Sequence, residues 1–251
     1  MMFRAWYWYV NKVDKNADIL FMNYGYHDDN EHIELDPIDE PNRYSVQLYH
    51  RVAKMADLAG KDIVEVGCGR GGGLDYVTRR FKPATALGVD LDATAAEFGN
   101  KHYKAPGLRF EQGNAQELST IESASKDVVL NVESSHRYPE FHKFLSEVDR
   151  ILKPGGHFLM TDFRYKDEME LFHQDIAKTN FKCFDEQIIN PNVVKSLDHD
   201  TPRREALVKK LTPKMLHKTS LNFAGTTGSE TYNQIKDGDY TYFVYCYQKP
   251  E

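Results

Sequence analysis

The stretch Val64–Gly73, VEVGCGRGGG, decides how the rest of the chain is read. A β-rich apolar run, DIVEVG, leads into five glycines within the seven positions 67–73. GGLDYVTRRF then carries helical spacing and stops before Pro83. Glycines at a strand-to-helix junction remove Cβ atoms, so backbone can approach a ligand closely. The helix N-terminus adds unpaired N–H groups and a partial positive charge. One or two glycines would make a turn; five in this setting point to a ligand.

Outward from this junction the pattern alternates. TALGVDLD, LRFEQGN, KDVVLNVES and HFLMTDFR read as strands, and ATAAEFGNKHY and FHKFLSEVDRIL as helices, with KPGG as a turn. Strands and helices at this interval predict an α/β fold, a mostly parallel sheet with helices on both faces and right-handed crossovers. Upstream, NRYSVQLYHRVAKMADL has amphipathic spacing and is closed by Gly60. Past Arg164 the alternation weakens. MELFHQDIAKTNF reads as a helix, CFDEQIIN as a short strand, residues 191–218 as one or two helices, and TYFVYCYQK as a closing strand. The organisation expected is a helical and loop cover over 1–45, a core over 46–164, a helical insertion or lid over 165–220, and C-terminal strands over 221–251.

Composition narrows the function classes. The 251 residues carry a net charge of -6, which disfavours a nucleic-acid partner. The densest basic cluster, Arg203, Arg204, Lys209 and Lys210, reads as a solvated helix face. Three cysteines, Cys68, Cys183 and Cys246, have no zinc or CxxC spacing, so a reducing, cytoplasmic setting is expected and no disulfide framework. No run reaches the ~18 apolar residues of a spanning helix. The opening MMFRAWYWYVNKV has no signal-peptide pattern. Its aromatics allow peripheral membrane contact through residues 1–13, but a segment folded over the domain is the reading preferred.

Gly67, Gly69 and Gly72 spell GxGxxG, as in dinucleotide sites. Gly67, Gly69 and Gly71 equally spell GxGxG, with Glu65 two positions ahead, and this resembles the first motif of S-adenosylmethionine-dependent methyltransferases. Charge separates the two. A carboxylate repels a pyrophosphate and attracts a cationic methionine end, with a Coulomb term of about 4 kcal/mol at ~4 Å and an effective dielectric near 20. The 60 residues ahead of the motif and the LKPGG turn at Leu152–Gly156 also match the methyltransferase pattern. Asp90, ending the second strand, suits the ribose hydroxyls of either cofactor. Asn114 stands where that pattern often has an acid near the adenine, and its amide oxygen can still accept a hydrogen bond.

Further stretches narrow the resemblance. NYGYHDD (Asn23–Asp29), DEPNR (Asp39–Arg43), LYHR (Leu48–Arg51), LNVESSHRYP (Leu130–Pro139) and FLSEVDRILKPGG (Phe144–Gly156) are similar to mycobacterial phthiotriol/phenolphthiotriol dimycocerosate O-methyltransferases. The resemblance is weakest over 165–220. It implies a Rossmann-like class I methyltransferase fold with a seven-stranded, mostly parallel sheet and an antiparallel last strand. S-adenosylmethionine is the implied donor, S-adenosylhomocysteine its product, and the acceptor a small molecule or lipid methylated at a hydroxyl. Donor contacts are then expected at Glu65, Gly67, Cys68, Gly69, Gly71, Asp90, Leu91, Asn114, Ala115 and Asn131, and acceptor contacts at Tyr24 and Tyr26.

Methyl transfer from a sulfonium is an in-line displacement, so the enzyme must align its reactants and exclude water. A hydroxyl acceptor must also lose a proton, which favours a base titrating near working pH. His136, in the loop after the fourth strand, is the base expected, with Glu133 as its orienter or a second base. His50 and His27 are weaker candidates. No cluster has metal-ligand spacing, so no metal is expected. Transfer to carbon or nitrogen, or a donor-binding module without turnover, are the alternatives left open. Oligomeric state is not legible.

Overall fold

A computed structural model describes residues 17–251. The expectation of membrane contact through residues 1–13 lies outside them. The strands are β1 (Asp62–Val66), β2 (Thr85–Asp90), β3 (Leu108–Gln112), β4 (Lys126–Val132), β5 (Leu152–Tyr165), β6 (Lys182–Ile188) and β7 (Tyr240–Gln248). They form one sheet in the order β3-β2-β1-β4-β5-β7-β6. β1 to β5 pair in parallel, while β7 runs antiparallel to both β5 and β6. The helices are α1 (Arg43–Ala53), α2 (Gly72–Phe81), α3 (Ala93–His102), α4 (Phe141–Ile151), α5 (Met169–Ala177), α6 (Asn190–Leu211), α7 (His217–Phe223) and α8 (Glu230–Asp237).

The central strands are continuous apolar runs because helices cover both of their faces. On one side α1, α2, α6 and α8 bury Val52, Leu74, Leu197 and Ile235 against Ile63, Leu130 and Leu159. On the other, Phe141, Phe144, Leu145, Val148 and Ile151 line the stripe of α4, at the spacing that places a single helix face on a core. Phe144 is fully buried there, and truncating such a side chain to alanine costs about 3–5 kcal/mol.

Three expectations change. The KPGG turn does not precede β5 but lies inside it as a bulge: Lys126 faces Leu152, and Val128 already faces His157. The span 165–220 is not wholly a helical insertion, because it contributes β6 to the sheet through pairing with β7. Residues 221–251 hold one strand, β7, preceded by α8, rather than several strands. Residues 17–39 contain no helix or strand and form a strap over one end of the sheet. Strand order reverses between β1 and β4, so the loops leaving these two strands face each other across the switch point where such sheets bind ligands.

Candidate active site

The loop after β1 is built around its own chain. The Gly67 and Cys68 amides both donate to the Val89 carbonyl, and the Gly69 amide donates to Asp90 Oδ2 at 2.8 Å. Gly67 has a φ of +78°, and a Cβ there would stand 2.3 Å from Ser134 Oγ, so a side chain would push the β4 loop away. A Cβ on Gly73 would lie inside the Tyr49 ring. Close packing within the chain therefore explains glycines that the sequence reading gave to a ligand. Gly69 differs: only Met22 Cε, at 3.1 Å, approaches its Cβ position, which leaves a backbone cradle lined by the strap.

Beneath this cradle lies Glu65, fully buried. The Tyr49 hydroxyl donates to its Oε1 at 2.7 Å, while Oε2 has no hydrogen-bond partner. Burial pushes its carboxyl up to about 8, and nearby Asp90 adds to the rise, against the Tyr49 bond. On the neighbouring strand, Asn131 donates to the Val66 carbonyl and to Ser134 Oγ, and its Oδ1 is also buried without a partner. The orphaned carboxylate oxygen of Glu65 suits a cationic ammonium, which supplies both charge and donors, whereas Asn131 projects from the opposite face of the sheet, with Val129. The donor implied by the motif therefore fits Glu65, and a pyrophosphate does not.

Asp90 sits at the end of β2, but its oxygens already accept from the Gly69 and Asp92 amides. It holds the glycine loop and keeps one lone pair on each oxygen for a ligand. Leu91 beside it is exposed, as is Asn114, whose Oδ1 accepts from the Gln116 amide in a tight turn. Ala115 packs against the α4-side core. Cys68 is buried, with Sγ against Gly88, so its side chain faces away from the cradle's open side.

Next to the cradle opens a cavity. The strap contributes Ile19, Phe21, Met22 and Tyr24, the loop after β4 contributes Glu133, His136 and Arg137, β5 itself contributes Phe163, and α6 and α7 contribute Leu207, Leu211 and Phe223. Tyr24 is thus at the cavity. Tyr26 is not: it is buried in the core, with its hydroxyl toward Asp28. His27 and His50 pair with Asp29 and Tyr76 and do not line the cavity.

His136 meets a partner that sequence reasoning passed over. Its Nδ1 is 2.7 Å from Oδ1 of Asp162, fully buried on β5. The His136 amide and Ser135 Oγ donate to the other oxygen, and the Arg164 guanidinium stands 3.1 Å away. Burial alone would raise this carboxyl, but His136, Arg164 and the hydrogen bonds outweigh it and hold it below the usual carboxylate range. With Nδ1 donating to Asp162, Nε2 is the acceptor, and Arg137 Nε donates to it at 3.0 Å.

Glu133, expected to orient His136, instead holds the strap. Its Oε1 accepts from the Tyr24 amide at 2.8 Å and from the Tyr242 hydroxyl. Burial pushes its carboxyl up to about 8, against those two bonds. Arg204 is buried, not part of a solvated face. It donates to Asp200 and to the carbonyls of Ala224, Asn23 and Tyr24, tying α6 to the strap. Its burial is tolerable because a carboxylate and three carbonyls satisfy it.

A sheet of this order with a donor cradle at its switch point defines the class I S-adenosylmethionine-dependent methyltransferases. A methyltransferase-domain profile matches residues 64–160. Solved structures share the fold: geranyl diphosphate C-methyltransferase from Streptomyces coelicolor, crystallised with S-adenosylhomocysteine, has a TM-score of 0.69 at 18% identity, over 96% of this chain and 95% of that one. The cyclase SpnF has a TM-score of 0.71 at 16% identity, over 98% of this chain and 94% of that one. At such identity these likenesses establish the fold alone. Sequence relatives go further. The phthiotriol/phenolphthiotriol dimycocerosates methyltransferase of Mycobacterium tuberculosis is 36% identical over 99% of this chain and 92% of its own length. The fatty-acid O-methyltransferase of Mycolicibacterium smegmatis is 38% identical over 97% of this chain and 88% of its own. The chain belongs to this family of methyltransferases, and S-adenosylmethionine is its methyl donor.

Proposed function

We propose that the protein methylates a hydroxyl of an apolar, lipid-like acceptor, with His136 as general base and Asp162 as its orienter. One observation carries the reading: the His136–Asp162 pair opens onto a largely apolar cavity beside the donor cradle. Relatives named for dimycocerosate lipids and for fatty acids support an acceptor of that kind. When bound, S-adenosylmethionine supplies an electrophilic methyl group. The residues proposed to hold it are Glu65, Gly69 and Asp90, with Leu91 and Asn114 at the exposed edge.

The acceptor hydroxyl would replace Arg137 at His136 Nε2 and pass its proton there as the oxygen–carbon bond forms and the carbon–sulfur bond breaks. Asp162 keeps the tautomer and compensates the imidazolium so formed. Glu133, Tyr24 and Arg204 keep the strap closed and water out. We assign residues 17–42 as the cover, the elements from α1 to β5 as the donor-binding core, and the cavity-lining Leu207, Leu211 and Phe223 of α6 and α7 as the acceptor wall. A cytoplasmic setting fits three free thiols.

The test is product analysis with isotopically labelled methyl donor and hydroxylated lipid or phenol acceptors. An O-methyl ether that disappears in His136→Ala, with S-adenosylhomocysteine affinity intact, is the expected outcome. A C-methyl or N-methyl product would overturn the acceptor assignment.

A further inference from the structure

The outer end of the cavity wall has a composition unlike the rest of the chain. Between Ala206 and Ser229 there are four lysines, one histidine and no acidic residue, in a protein of net charge -6. Leu211 and Thr212 line the cavity at the end of α6, and Ser220 and Phe223 line it again on α7. The chain between them, Pro213–Thr219, is therefore a tip projecting beyond the wall. A single 3-10 turn over Lys214–Leu216 and the pairing of His217 with the Thr212 carbonyl give it a fixed shape.

At that tip Met215 is 88% exposed and Leu216 40% exposed. Lys214 and Lys218 flank them, also exposed, while Lys209 and Lys210, one turn back on α6, are paired with Glu205 and Asp18. Two apolar side chains held in water between lysines gain little from an aqueous surrounding. Such a pattern suits an interface where the apolar groups enter hydrocarbon while the lysines meet anionic headgroups. An acidic protein surface would use the lysines but leave Met215 and Leu216 without a role. The same tip ends the wall of an apolar cavity, so a lipid acceptor leaving a bilayer would enter beside it. Among the described residues no helix is long and apolar enough to cross a membrane, so this attachment is peripheral.

We propose that the Pro213–Thr219 tip docks the protein on anionic lipid surfaces, placing the cavity mouth at the interface from which the acceptor is drawn. The docking surface stands on its own observations; its role in acceptor uptake rests on the reading above.

The experiment is co-sedimentation of the full chain with phosphatidylcholine vesicles, with and without phosphatidylglycerol. The wild type should partition onto the anionic vesicles, and Met215→Asp/Leu216→Asp and Lys214→Glu/Lys218→Glu should each weaken partitioning about ten-fold or more. These positions are exposed, so S-adenosylhomocysteine affinity, the unfolding midpoint and turnover on a short water-soluble acceptor should stay at wild-type values. Absent or equal wild-type partitioning onto the two vesicle types overturns the proposal. So does an effect of the lysine pair without one from Met215 and Leu216, which would mark a charged partner instead. Vesicle binding by a protein that transfers no methyl group would leave the docking intact and defeat the catalytic reading.

Discussion

His136 Nδ1 and Asp162 Oδ1 are 2.7 Å apart, and Asp162 is fully buried beneath the imidazole. The contact joins the short turn after β4 to the carboxyl end of β5, so it depends on the parallel pairing of those strands. Its consequence is a division of labour. The carboxylate is held in its ionised form, and only the imidazole faces the cavity. His136→Ala should lower kcat by about 10²–10⁴-fold. Asp162→Asn keeps the shape but loses the charge that compensates an imidazolium, and should lower kcat on the order of 10²-fold with the KM for acceptor changed only a few-fold. Steady-state kinetics on one hydroxylated acceptor checks both; turnover retained in either variant would remove that residue from the mechanism.

Glu65 makes donor binding proton-linked. Its carboxyl, pushed up to about 8, is mostly protonated at neutral pH, and Oε2 lacks a partner. An ammonium bound beside it favours the ionised form, so binding should expel close to one proton at pH 7 and almost none at pH 9, where the group is already ionised. Calorimetry with S-adenosylhomocysteine in buffers of different ionisation enthalpy reads this directly. Glu65→Gln should abolish the buffer dependence. Proton release unchanged in that variant would place the ammonium elsewhere.

The periodic elements were legible in the sequence, and the tertiary partners were not. β1 and α2 announce themselves through DIVEVG and GGLDYVTRRF, and the observed α2 covers that second stretch end to end. Asp162 was hidden because a lone acid in HFLMTDFR fits strand alternation, and only the β4–β5 register brings it under His136. Arg204 was misread for a related reason. A charged cluster on a helix normally faces water, and its burial appears only once the strap crosses α6. Part of the glycine run is a packing feature rather than a ligand signal, since Gly73 makes room for Tyr49.

Glu133 predicts how stability depends on pH. Its folded carboxyl is raised by burial to about 8, above the ordinary 4.5 of the unfolded chain. Between those values the folded state keeps a proton that the unfolded state has lost. This contribution is therefore full below pH 4.5, declines as pH rises to about 8, and is flat above. The slope from one such group is at most about 1.4 kcal/mol per pH unit. Glu133→Gln keeps acceptors for the Tyr24 amide and the Tyr242 hydroxyl but removes the titration. Urea unfolding from pH 5 to 9 should show a shallower decline in the variant, and parallel curves would refute the assignment.

Arg204 should govern strap closure rather than chemistry. Its guanidinium joins Asp200, the Ala224 carbonyl and the carbonyls of Asn23 and Tyr24. Arg204→Met leaves Asp200 paired with Arg203, at 2.7 Å through both Nε and Nη2, so the carboxylate is not stranded. The carbonyls lose their donor, although Ser196 Oγ still donates to Tyr24. The cost should therefore fall at about 2–3 kcal/mol, short of the 3–5 kcal/mol expected when a buried charge is left alone. Because the strap walls the cavity, the KM for acceptor should rise several-fold while S-adenosylhomocysteine affinity holds, and Tyr24 should become more accessible to proteolytic cleavage nearby. Arg204→Lys restores the charge to Asp200 but cannot reach both sides of the clamp, so it should recover stability without recovering KM. If KM stays at the wild-type value in both variants while stability drops, Arg204 is a core residue that happens to border the cavity.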